Sequence, residues 1–169
     1  MAIAPPLALL LELSHRCPLK CPYCYNPLKL TPRSKDLDPD TWLRVLNEAA
    51  GLGILQVHFS GGEPALRDDL EVLVEAADQL GIYTNLITST LLLGRERIRD
   101  LARRGLQHIQ ISFQDVRPDA ADAMAGYPGA HATKIAAAQC AIEVGLPVTM
   151  NTVITRRNIE RLESIIEFA

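Results

Sequence analysis

Cys17, Cys21 and Cys24 fall within one short stretch, Cys17-Pro-Leu-Lys-Cys21-Pro-Tyr-Cys24, and offer three thiolates where most protein-held metal sites take four ligands. Soft sulfur favours iron–sulfur clusters, zinc or copper(I) over hard cations. A cubane cluster held by three cysteines keeps one iron open to a substrate or a cofactor. A zinc site completed by His15 is the plainer alternative, although zinc sites more often pair Cys-x-x-Cys units. Two prolines and Lys20 stop the loop from continuing the apolar run at 7–13, which reads as a strand.

Positioning such a loop requires a scaffold, and the chain spells one out. Apolar runs of strand length at 7–13, 56–60, 83–88, 108–113 and 148–154 alternate with segments of helical period. The first helix is capped by Asp38, with Pro39 at its first position and Trp42, Val45, Leu46 and Ala49 on one face. The second places Leu70, Leu73, Val74, Ala77 and Leu80 on one side. A third lies around Ile98, Leu101 and Ala102, a fourth spans 131–144, and a last amphipathic segment starts at an Asn158 cap. This alternation predicts an α/β fold with parallel strands, a partial (β/α) barrel forming one domain over 1–169 with its cluster loop at 14–36. The last helix reaches Ala169 without a stop signal, and five parallel strands do not close a barrel, so the pattern reads as truncated. In such folds functional groups gather at the C-terminal ends of the strands. The cysteine loop, the Gly61-Gly62-Glu63-Pro64 turn and the stretch 112–115 all fall there.

Lysine and arginine number 17 against 20 acids, a net charge of −3 with no long basic run, which argues against nucleic acid as a partner. The N-terminal residues have no basic lead, and their apolar stretch is broken at Glu12, so neither a signal peptide nor a membrane span is expected. A cytoplasmic setting follows, where four cysteines point to metal binding or catalysis rather than disulfides. Cys140 reads as a small buried hydrophobe, His58 and His108 as structural, and the charged run 95–104 as the solvated face of a helix.

The three-cysteine spacing, with aromatic Tyr23 before the last cysteine, resembles the signature of the radical S-adenosylmethionine (SAM) enzymes. That resemblance implies a [4Fe–4S] cluster on Cys17, Cys21 and Cys24 whose open iron chelates SAM, with the backbone at Tyr23 against the adenine. It also implies that Gly61, Gly62 and Glu63 meet the methionyl amino group, since glycine allows close approach and a carboxylate suits an ammonium. Ser112 and Gln114 match positions that contact the ribose or methionyl carboxylate, and Asn151 is a further candidate for the same cofactor. The end of the third strand, Thr88-Ser89-Thr90, stands where many members have Thr-Asn-Gly.

More narrowly, the stretch from Leu10 through the cysteines to Leu28, with Ile111-Ser-Phe-Gln-Asp115 and Gly126-Tyr-Pro-Gly129, resembles the peptide-cyclising branch that serves pyrroloquinoline quinone (PQQ) biosynthesis. What this implies is an oxidoreductase that cleaves SAM reductively to a 5′-deoxyadenosyl radical. The radical then drives joining of a glutamate carbon to a tyrosine ring carbon in a precursor peptide, PqqA, presented by the chaperone PqqD. The resemblance also implies an electron donor such as flavodoxin. Members of that branch continue into a C-terminal cysteine-rich domain, expected to be absent here. Another radical SAM peptide maturase remains an alternative, as does a non-catalytic metal-binding or interaction module.

Overall fold

The computed structural model describes residues 6–26 and 36–169. Residues 27–35, which include Pro27 and Leu28 of the cysteine motif and much of the expected 14–36 loop, lie outside the described residues, as do residues 1–5.

Five strands, β1 (Ala8–Ser14), β2 (Gln56–Gly61), β3 (Tyr83–Thr88), β4 (His108–Phe113) and β5 (Val148–Thr152), form one parallel sheet in the order β1-β2-β3-β4-β5. Between them run α1 (Pro39–Gly51), α2 (Leu70–Gln79), α3 (Arg95–Arg103), α4 (Pro118–Ala125) and α5 (Ala130–Glu143), and α6 (Leu162–Phe168) follows β5. Register aligns Leu11 with Phe59, Phe59 with Leu86 and Leu86 with Ile109. That row is buried against Leu46 of α1, Leu73 and Val74 of α2, Ile98 and Leu101 of α3, and Ala137 and Cys140 of α5. Each such large side chain removed from water contributes about 1.5–3 kcal/mol. The opposite face of the sheet carries polar groups instead: His58, Asn85 and His108 are aligned in register across β2, β3 and β4. Sequential parallel order with helices packed on one face is the arrangement of a partial (β/α) barrel, as the alternating pattern predicts.

Local chemistry explains the helix boundaries. The Asp38 carboxylate accepts from Thr41 N at 2.7 Å, and Pro39 gives up only a backbone donor that a first turn leaves unused. Three sequence expectations need correction. The short helix α4 falls in a stretch that carried no helix reading. Asn158 does not cap the segment after it; its carboxamide oxygen accepts from Thr155 N, and its nitrogen donates to Gln114 O at 2.9 Å and to Val153 O at 3.0 Å. Within the charged run 95–104, Arg97 is not simply solvated. Its guanidinium bonds the Glu71 carboxylate and the carbonyls of Ala65 and Arg67, bracing the turn after Gly61-Gly62-Glu63. Cys140 is fully buried, and His58 and His108 bond Asn85 and Thr149 respectively, in keeping with the structural reading of all three.

Candidate functional site

The end of β1 runs directly into the cysteine loop, and the turn after β2 is fastened to that loop by backbone alone. Gly62 N donates to Ser14 O at 2.6 Å and Glu63 N to Arg16 O at 2.7 Å. A Cβ at Gly61 would stand 2.3 Å from Ser14 O, and one at Gly62 2.3 Å from Arg16 O; Gly61 also has φ +121°. Any side chain there would push the two segments apart. On its other flank the loop is tied to the end of α4, where Lys20 N donates to Ala125 O at 2.8 Å. Gly126, at φ +64°, leaves room for Lys20: an added Cβ would lie 2.9 Å from the Lys20 Cβ.

Between these anchors lies a cavity of about 250 Å³. Cys17, Cys21 and Cys24 line it together with Tyr23, Gly61 and Gly62; from the far strand ends come Ser112, Gln114 and Asn151. Residues from the loop after β1 to the end of β5, well over a hundred positions apart in sequence, thus line one cavity. Glu63 does not line it. Its fully buried carboxylate accepts from Ala65 N at 3.0 Å, Thr88 Oγ1 at 2.6 Å and Ser89 N at 2.7 Å, and from the Ser89 hydroxyl. Both oxygens are therefore spent on joining the β2 turn to the end of β3. Just beyond, Thr90 has φ +63°, a left-handed conformation unusual for a β-branched residue, at the position where the Thr-Asn-Gly pattern puts glycine.

Cys17 and Cys21 are partly buried, and Cys24 is exposed. Burial pushes Cys17 up to about 11, helped by the negative charges of Glu63, Cys21 and Cys24, against a backbone hydrogen bond from Leu19. Burial likewise raises Cys21 and takes Tyr23 to about 12. As free thiols these groups stay protonated at neutral pH, and a cationic metal centre is what would draw the protons off.

One participant carries no motif. Lys134 on α5 is 1% exposed, and its Nζ donates to Gln114 Oε1 at 2.5 Å. Gln114 Nε2 in turn donates at 3.1 Å to the hydroxyl of Tyr23, which stands in the loop between Cys21 and Cys24. Its only signal in the sequence is placement: Lys134 falls on the stripe of Ala130, Ala137 and Ala141 that α5 buries.

The sequence model of the radical SAM superfamily matches residues 11–169. The chain belongs to the radical SAM superfamily. It is 54% identical over 97% of its length to the PqqA peptide cyclase of Rhodopseudomonas palustris, covering 44% of that protein. Against the PqqA peptide cyclases of Bradyrhizobium diazoefficiens and Streptomyces rochei the identities are 53% and 48%, over 97% and 99% of this chain and 43% and 46% of those proteins. The chain thus spans less than half the length of these curated relatives. Among solved structures, Streptococcus suis SuiB bound to S-adenosylmethionine superposes with a TM-score of 0.85 at 26% identity, over 98% of this chain and 38% of SuiB.

Radical SAM enzymes use a [4Fe–4S] cluster and SAM, and the residues present fit that pair. Three soft thiols line one cavity beside polar groups from β4 and β5. Among the described residues no three His, Cys, Asp or Glu side chains are arranged to hold a single metal ion. A cubane is wider than one ion, so its thiolate ligands stand further apart. His15, the fourth ligand of the zinc alternative, is not among the cavity-lining residues.

Proposed function

We propose that this chain is the SAM-cleaving portion of a radical SAM peptide cyclase of PQQ biosynthesis, working in the cytoplasm on the precursor peptide PqqA. The observation that carries the reading is the convergence of Cys17, Cys21 and Cys24 with Gly61, Gly62, Ser112, Gln114 and Asn151 around one cavity. The names of relatives at about half identity support the choice of peptide. When bound, cluster and SAM supply a 5′-deoxyadenosyl radical by one-electron reductive cleavage.

The chain's own residues hold and shield. Cys17, Cys21 and Cys24 take the cluster. The backbone of Tyr23, Gly61 and Gly62 forms the wall against which SAM lies, and Glu63 keeps that wall rigid through Thr88 and Ser89. Ser112 and Gln114 on one strand end and Asn151 on the next offer hydrogen bonds to the ribose and the methionyl carboxylate. A radical demands that competing hydrogen donors be kept away, which falls to the residues that line this cavity. No side chain is required as the main acid or base.

Anaerobic reconstitution with iron and sulfide, then reduction, addition of SAM and quantitation of 5′-deoxyadenosine tests the reading. Product from the wild type and none from a Cys17→Ala, Cys21→Ala, Cys24→Ala variant is expected; zinc uptake without a cluster overturns it. Adding PqqA, with PqqD as presenter and flavodoxin as electron donor, tests the substrate through formation of the Glu–Tyr cross-link. SuiB, solved with its precursor peptide SuiA, favours a second reading, maturation of a different ribosomal peptide. Abundant 5′-deoxyadenosine with no PqqA-dependent product supports that one.

A further inference from the structure

A lysine with almost no solvent exposure needs an explanation, because burying an ammonium is costly unless another charge or several acceptors meet it. Lys134 has one described hydrogen bond, to the neutral Gln114, and among the described residues it forms no ion pair. Burial pulls its pKa down to about 8; the groups that pull it back are Cys21 first, then Glu63, Cys17 and Asp122.

Direction matters as much as charge. Lys134 donates to Gln114 Oε1, and Gln114 Nε2 donates to the hydroxyl of Tyr23, the residue between Cys21 and Cys24 in the loop. Both donors point from the ammonium toward the cysteine loop, so the first bond polarises the second. Three features fix the path. Asn158 holds the Gln114 carbonyl at 2.9 Å. Asp122 accepts from Gly129 N at 2.5 Å and His131 N at 2.8 Å, setting the start of α5, which carries Lys134. Lys20 N on Ala125 O holds the loop from the α4 side.

We infer that Lys134 is a positioning and charge-compensating residue for the cysteine loop: through Gln114 it holds Tyr23, between Cys21 and Cys24, and its charge raises the reduction potential of the cluster held there. The inference rests on the reading that Cys17, Cys21 and Cys24 bind that cluster. Hydrogen bonds to ligand sulfur and nearby positive charge both favour the more negative, reduced cluster.

The test is a potentiometric titration of the reconstituted chain, with the reduced cluster followed by electron paramagnetic resonance, in wild type, Lys134→Met, Lys134→Arg and Tyr23→Phe. Lys134→Met is expected to bind the cluster and to be at least tenfold harder to reduce at a given potential, about 59 mV lower for one electron. Lys134→Arg is expected near wild type, and Tyr23→Phe lowered by a smaller amount. An unchanged potential in Lys134→Met overturns the inference. A shifted Lys134→Met with unchanged Tyr23→Phe overturns the route through Tyr23. If Lys134→Met folds but takes up no cluster, uptake restored in Lys134→Arg supports the charge role, and failure there too overturns it. Wild type that takes up no cluster at all defeats the underlying reading instead.

Discussion

At the scale of single residues, two buried ionic groups carry the site and respond oppositely to substitution. Lys134 in the metal-free chain is a cost: its charged form is disfavoured in the fold, so below pH 8 the protein carries a penalty of roughly 3 kcal/mol. The unfolded chain binds the proton more tightly, so that penalty is released as pH rises from about 8 to 10.5. Urea unfolding of Lys134→Met should therefore show a gain of about 2 kcal/mol at pH 7 that closes by pH 10.5; a destabilised variant at pH 7 contradicts this. Glu63 behaves the other way. Glu63→Gln puts a donor nitrogen where hydroxyl and amide donors already point, and should lower unfolding free energy by roughly 2–3 kcal/mol. The cysteines were legible in the sequence because their constraint is local spacing. Lys134 was not, because a lysine's burial depends on which helix face the rest of the fold covers, and only its place on an alanine stripe hints at it.

At the scale of elements, the cysteine loop is docked from both sides by backbone, and glycines make the docking possible. Gly62→Ala forces a Cβ against Arg16 O and should cost more than about 2 kcal/mol, with less iron bound per chain after reconstitution. Gly51→Ala, at the end of α1 with nothing near the added carbon, should instead be neutral or stabilising by about 0.5 kcal/mol. Equal melting temperatures for the two variants would defeat this account. Strands and the longer helices were readable from period and caps. The eight-residue α4 was not, since a short helix packed on its neighbour shows too few turns for a period, and only the Gly126 stop marks it. Asn158 misled for a related reason: an asparagine before a helical pattern is a cap on local grounds, yet tertiary partners at Gln114 and Val153 took its side chain.

At the scale of the whole molecule, stability is uneven across the sheet. Phe59, Leu86 and Ile109 on β2, β3 and β4 are inaccessible to solvent, whereas β5 has no fully buried residue and α6 buries only Ile165. Amide hydrogen exchange should therefore run slowest in β2, β3 and β4 and fastest in β5 and α6 among the regular elements; protection in β5 equal to that in β3 would refute the ordering. Phe59→Ala should cost about 3–5 kcal/mol and melt all elements together.

Neighbouring strands in space are also neighbours in sequence, so each strand can pair with the one made just before it. The three thiols leave the ribosome early, with β1. Lys134, tied to their loop through Gln114 and Tyr23, follows roughly a hundred residues later, about 5–20 s at ordinary elongation rates. For that interval the cysteines have neither the α5 cation nor the β4 and β5 rim to shelter them. Oxygen damage and mismetallation of the nascent chain should be concentrated in this window, and the yield of intact protein should then depend on how anaerobic translation is, not only on how anaerobic purification is.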